Sequence, residues 1–167
     1  MGLHSTCRGL LLVLWLFPGC QTAGQSNRFA TPTTATSCSN ERVRILAESI
    51  LDLRARETES SDHRYTIELD QNLGALFNND STCADAASLV LLGYYLGEAR
   101  NEDLYCNLLT RGKRLLPLLR RLMGSPRPKT GRGYPTLFLG PEAWKQDLRG
   151  VEQEIQRLDG KVPLWCQ

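Results

Sequence analysis

The sequence ADAASLVLLGYYL at residues 84–96 decides the fold, because it is apolar on nearly every side. A helix that is apolar all round is usually buried inside a protein rather than placed on its surface. Ser81 or Thr82 can cap its start, and Asp85 lies in the first turn, where the helix dipole favours a negative charge. We therefore predict a buried central helix against which the other segments pack.

Apolar residues at helical spacing occur on both sides of this segment. They predict four further helices with these faces: Val43, Leu46, Ile50 and Leu53; Leu104, Tyr105, Leu108 and Leu109; Leu115, Leu116, Leu118, Leu119 and Leu122; Trp144, Leu148, Val151, Ile155 and Leu158. Pro117 suits the first turn of the predicted helix that carries Leu115 to Leu122, and Pro141 starts the predicted helix that carries Trp144 to Leu158.

The segments between these helices carry weaker signals. Residues 57–63 are polar and predict a loop, whereas residues 65–69 alternate as in a short strand. Leu73, Leu76 and Phe77 fit one helical turn. Residues 124–140 hold four glycines and three prolines, which predicts a long loop. The predicted fold class is all-α: a compact, disulfide-stapled bundle of four to five helices with one long loop before the last helix.

Residues 1–24 have the three parts of a secretory signal peptide. Arg8 precedes the apolar sequence LLLVLWLF at residues 10–17, and small residues follow a Pro-Gly pair. Residues 25–38 are rich in threonine and predict a flexible N-terminal arm, either O-glycosylated or a plain linker. Residues 39–167 are expected to form a single α-helical domain. The predicted location is therefore extracellular.

Four cysteines remain once residues 1–24 are removed: Cys38, Cys83, Cys106 and Cys166. An even number in a secreted chain predicts two disulfides, and the long spacings argue against a zinc site. Cys83 and Cys106 would lie about 16 Å out of step on neighbouring antiparallel helices. That is beyond the ~7 Å between Cα atoms that a disulfide allows. We prefer Cys38–Cys83 with Cys106–Cys166, although the sequence leaves the other connectivities open.

Residues 25–167 give little support to catalysis. His63 is the one histidine there, no nucleophile elbow is present, and no phosphate-binding or dinucleotide fingerprint occurs. Glu102 and Asp103 are adjacent, and we expect them to complement a helix N-terminus rather than share a proton. A carboxylate pair from distant segments stays open. We predict a protein that is not an enzyme and needs no metal or cofactor.

Basic residues are concentrated in one stretch that contains no acid. Its members are Arg111, Lys113, Arg114, Arg120, Arg121, Arg127, Lys129 and Arg132. Residues 39–103, by contrast, hold 13 acidic against six basic side chains. The stretch predicts either a face for sulfated glycans or an acidic receptor, or a solvated helix surface. The net charge of +2 and the lack of interleaved aromatics argue against nucleic acid.

Two short motifs concern processing in the secretory pathway. The sequence RGKR at residues 111–114 matches a convertase cleavage site, which requires an exposed and extended backbone. Because it lies between two leucine-rich helices, we favour an uncut chain. Asn79-Asp80-Ser81 is a sequon, so Asn79 is predicted to carry an N-linked glycan.

These observations together predict a secreted helical protein that acts by binding. The leading interpretation is a cytokine-like extracellular signalling ligand for a cell-surface receptor or another extracellular protein, by analogy of architecture alone. One alternative is a peptide-hormone precursor cleaved after Arg114. Another is a carrier or adhesion module for a small apolar ligand or glycan. No apolar run approaches the ~20 residues of a transmembrane helix, so no membrane span is expected.

Overall fold

The structure, a computed structural model, describes residues 40–126, 134 and 136–167. The predicted signal peptide and threonine-rich arm lie outside these residues, as do Arg127, Lys129 and Arg132. The described chain forms an all-α fold, as predicted. Its elements are α1 (Glu41–Glu59), α2 (His63–Phe77), α3 (Thr82–Leu91), α4 (Glu98–Arg111), a 3₁₀ turn (Gly112–Leu115), α5 (Leu116–Met123), α6 (Pro141–Leu158) and a C-terminal 3₁₀ turn (Leu164–Cys166).

The described residues contain six α-helices rather than four to five, because the predicted strand at residues 65–69 belongs to α2. Asp62 caps this helix by accepting a hydrogen bond from the backbone N–H of Arg64. Leu69, Leu73 and Leu76 are buried at helical spacing, whereas Ile67 is 58% exposed. The apparent alternation was therefore misleading: the predicted loop shrinks to the residues between α1 and α2.

The central helix is buried as predicted, but α3 ends at Leu91 rather than continuing to residue 96. The backbone then pairs with the end of the long loop: Tyr95 N–H donates to the carbonyl of Leu137, and Leu139 N–H to that of Gly93. A Cβ atom at Gly93 would lie 2.6 Å from the Phe138 ring and 2.8 Å from the Trp144 ring. Only glycine permits this close approach.

Trp144 of α6 joins the C-terminal end of α3 to the core. Its side chain is fully buried, and its indole Nε1 donates a 2.7 Å hydrogen bond to the carbonyl oxygen of Leu89. In a continuing helix, that carbonyl would accept from Gly93 N–H, which instead donates to Val90. The indole therefore satisfies a buried carbonyl at the point where α3 stops.

Candidate functional site

A groove runs between α2 and α4. Its volume is about 420 Å³, and it is open to solvent. The walls are Asp70, Leu73, Gly74 and Phe77 from α2, Arg100, Asp103, Cys106, Asn107 and Thr110 from α4, and Cys166 from the C-terminus. The α2 members are spaced by three and four residues, so one face of that helix forms a wall. We call this feature the α2–α4 groove.

A half-buried ion-pair network lies at the Arg100 end of this groove. Arg100 donates to Glu57 of α1 at 2.9 and 3.0 Å and to Asp70 of α2 at 2.6 Å. Glu57 also accepts from Arg54 and from the hydroxyl of Thr66. Burial alone would raise the pKa of Glu57, but the hydrogen bonds from Arg100, Thr66 and Arg54 lower it. The network holds α1, α2 and α4 together, and four of the five guanidinium N–H groups of Arg100 donate hydrogen bonds.

The disulfide between Cys106 and Cys166, whose Cα atoms are 5.3 Å apart, also lines the groove. This is the pairing that we prefer from the sequence. Cys83 is also disulfide-bonded, and Cys38, its predicted partner, lies outside the described residues. The Cys106–Cys166 bond anchors residues 161–167 to α4. We call these residues the C-terminal tail.

The C-terminal tail exposes large apolar side chains beside the groove. Leu164 is 85% exposed and Trp165 is 53% exposed. The Trp165 ring stacks on Tyr105 of α4, with centroids 6.2 Å apart. Burial and the negative charges of Glu154 and Asp147 raise the pKa of Tyr105. This aromatic pair therefore lies in acidic surroundings, contributed by α6.

The basic stretch does not form one face in the described part of the chain. Arg111 pairs with Asp80 at 2.8 Å. Arg114 also pairs with Asp80, and it pairs with the buried Asp85 at 3.0 Å. The remaining described members face α6 or solvent: Lys113 pairs with Asp159, Arg120 pairs with Glu152 at 2.9 Å, and Arg121 is exposed. Partners of opposite charge lower the positive potential that the sequence suggests.

The two processing motifs lie near this charge cluster. The Arg114–Leu115 bond joins residues of the 3₁₀ turn, and Leu115 is fully buried. Convertases cleave extended, accessible backbone, so this conformation opposes cleavage. Asn79 is half-buried between α2 and α3, and Ser81 accepts from the backbone N–H of Ala84 as the cap of α3. The sequon hydroxyl therefore also has a structural role.

The candidate catalytic residues are scattered. His63 is exposed at the start of α2, and Glu102 and Asp103 lie in the second turn of α4 rather than at its N-terminus. Among the residues that the structure describes, no group of three His, Cys, Asp or Glu side chains is arranged to hold a metal ion. No helix in this part of the chain has the length and apolarity needed to span a membrane.

Sequence reasoning gave no role to the groove residues Asp70 and Gly74, and it considered Asp103 only as an acid near a helix N-terminus. The available signal was the polar face of α4 that carries Asp103, Asn107 and Thr110 at steps of four and three residues. Comparisons with protein-family models, curated proteins and solved structures found no match to this chain.

Proposed function

We propose that this chain is a secreted helical binding protein, an extracellular signalling ligand that engages a cell-surface receptor through its C-terminal tail. One observation carries the proposal: Leu164 and Trp165 are exposed while a disulfide fixes their segment to α4. Exposed Trp residues on ordered segments are typical binding hot spots. Because the segment is already tethered, binding costs less conformational entropy than ordering a loose tail would.

Other features support an extracellular location and an intact chain. Disulfides are typical of secreted proteins, and the sequence of residues 1–24 has the pattern of a signal peptide. The helical conformation at Arg114 supports a ligand that acts uncut rather than a hormone precursor. The groove is open and has several polar walls, which suits a protein partner better than a small apolar molecule carried inside the bundle.

Expression of the full chain in mammalian cells tests the proposal. We expect the product in the medium, starting after residue 23 or 24 and extending to Gln167, with its intact and reduced masses reporting cleavage, glycan and disulfides. A fragment that begins at Leu115 would instead support the hormone precursor. Full-length chain retained in the cytosol with all cysteines reduced would contradict secretion.

Binding to cells then tests the role of the tail. Labelled protein should bind a responsive cell line saturably, and Trp165→Ala should weaken this binding about tenfold or more. The matched control is Ile45→Ala, because Ile45 is also 53% exposed but lies on α1. Equal binding by the two variants would contradict the proposed role of Trp165.

A further inference from the structure

Carboxylates outnumber guanidinium groups in the α2–α4 groove and in the pocket beside it. Together with a smaller adjoining pocket of about 360 Å³, it is lined by three carboxylates, Asp70, Glu98 and Asp103, and by one guanidinium, Arg100. Arg100 is already bonded to Glu57, Asp70 and the carbonyl of Leu96. An anionic partner would therefore meet three carboxylates and a guanidinium that is already paired with Glu57 and Asp70.

Asp103 and Glu98 differ from Asp70 because they have no cation within ion-pair distance among the described residues. Both are exposed on α4, Asp103 at the groove and Glu98 at the adjoining pocket, where a bound cation could contact them. Charge complementarity at these two carboxylates therefore favours a basic partner.

The floor of the groove is suited to apolar side chains. Leu73 is nearly buried, Phe77 is half-buried, and a Cβ atom at Gly74 would meet nothing within 4 Å. Gly74 therefore leaves open space in the middle of the α2 wall. From Arg100 to Thr110 the α4 wall extends about 15 Å, the length of roughly three helical turns.

From this arrangement we infer that the α2–α4 groove binds a basic amphipathic helix of a partner protein. The apolar side chains of that helix pack on Leu73, Gly74 and Phe77, and its Arg or Lys side chains pair with Asp103 and Glu98. Recognition of a helix by a groove through side chains at three- and four-residue spacing is a common mode of peptide binding. The inference rests on the proposed function and names the chemistry of the partner at the adjoining surface.

A pair of designed peptides tests this chemistry without the natural partner. Each has about 18 residues of Leu and Ala at amphipathic spacing, a length at which a helix can form. One carries Arg on its polar face, and the other carries Glu. Titration into the intact secreted protein should show saturable binding of the Arg peptide at least about tenfold tighter than of the Glu peptide. Binding of the Arg peptide should weaken when salt is raised from about 0.1 to 1 M.

Gly74→Leu fills the groove, and Ala75→Leu is its matched control because Ala75 is exposed on the same helix but does not line the groove. Circular dichroism and thermal unfolding should show both variants folded. Gly74→Leu should abolish binding of the Arg peptide, and Ala75→Leu should preserve it. If Gly74→Leu does not fold, Asp103→Asn against Glu102→Gln gives the same comparison, since only Asp103 lines the groove.

The possible results are decisive. Equal affinity for the two peptides, no binding of the Arg peptide, or binding unchanged by the groove variants overturns the inference. So does concentration-dependent dimerisation that Gly74→Leu abolishes, since the occupant would then be a second copy. If the peptide results are as expected but the protein shows no saturable binding to cells, the receptor proposal fails and the groove inference stands. If Trp165 determines cell binding but the two peptides bind equally, the groove inference fails and the receptor proposal stands.

Discussion

Trp144→Phe should destabilise the fold much more than the same substitution at Trp165. The two tryptophans differ in burial: Trp144 is fully buried and bonded to the carbonyl of Leu89, whereas Trp165 is 53% exposed. Phenylalanine keeps an aromatic ring at either position but removes the N–H donor. The comparison therefore isolates what burial and the hydrogen bond contribute at the end of α3.

The expected magnitude follows from two costs. A buried carbonyl that loses its donor costs about 1–3 kcal/mol. The smaller ring also loses about 1 kcal/mol of apolar burial and leaves a small cavity. Trp144→Phe should therefore lower the free energy of unfolding by about 3 kcal/mol, whereas an exposed substitution such as Trp165→Phe usually changes it by less than ~0.5 kcal/mol.

Urea unfolding followed by far-UV circular dichroism measures the difference. With a slope of about 2 kcal/mol per molar urea, the midpoint for Trp144→Phe should fall by roughly 1.5 M and the slope should stay the same. If Trp144→Phe is no less stable than Trp165→Phe, the indole does not provide the bond that replaces Gly93 N–H. The account of why α3 stops at Leu91 would then be wrong.

Three further predictions concern other parts of the chain. Gly93→Ala should lower the free energy of unfolding by about 1–3 kcal/mol in a urea melt, because its Cβ would clash with Phe138 and Trp144. Gly74→Ala should instead raise it by up to about 1 kcal/mol. If Gly93→Ala is the more stable of the two variants, the close packing at Gly93 is contradicted. Ser81→Ala should remove the Asn79 glycan, as measured by mass, and should destabilise the unglycosylated protein by about 1 kcal/mol. Ser81→Thr should retain both the glycan and the helix cap. If Ser81→Ala does not lose the mass of a glycan, glycosylation of Asn79 is excluded. The folded state lowers the pKa of Glu57. The ionised Glu57 side chain therefore contributes to folding stability above the unfolded-state pKa of about 4.3, and this contribution is lost as the pH falls through the folded-state pKa. The stability difference between wild type and Glu57→Gln should therefore shrink on acidification below about pH 4, and a constant difference would refute the network.

Local sequence patterns predict the helices whose faces have a clear period. The α6 prediction, from Pro141 to Leu158, matches the structure because Trp144, Leu148, Val151 and Ile155 are all buried. The same logic failed at residues 65–69, where five residues fit two periods. It failed again after Leu91, because the helix end depends on contacts with Phe138 and Trp144 from distant sequence.

The candidate site was harder to predict than the fold. The groove exists because α2 and α4 leave space between them, and no single helix carries that information. Charge composition was misleading for a related reason: Arg111 and Lys113 are close in sequence but pair with acids in different elements, Asp80 and Asp159. Helical geometry separates neighbours, so a run of like charge need not form one surface.

The most direct test of the account is a cell-surface binding isotherm for Gly74→Leu and Ala75→Leu, measured beside the wild-type secreted protein. It joins the proposed function to the proposed site, because both variants change α2 but only Gly74 lines the groove. We predict saturable binding of the wild type and of Ala75→Leu, and loss of that binding for folded Gly74→Leu. Absence of saturable wild-type binding would contradict the proposed receptor, and equal binding by the two variants would contradict contact between that receptor and the groove beside the C-terminal tail.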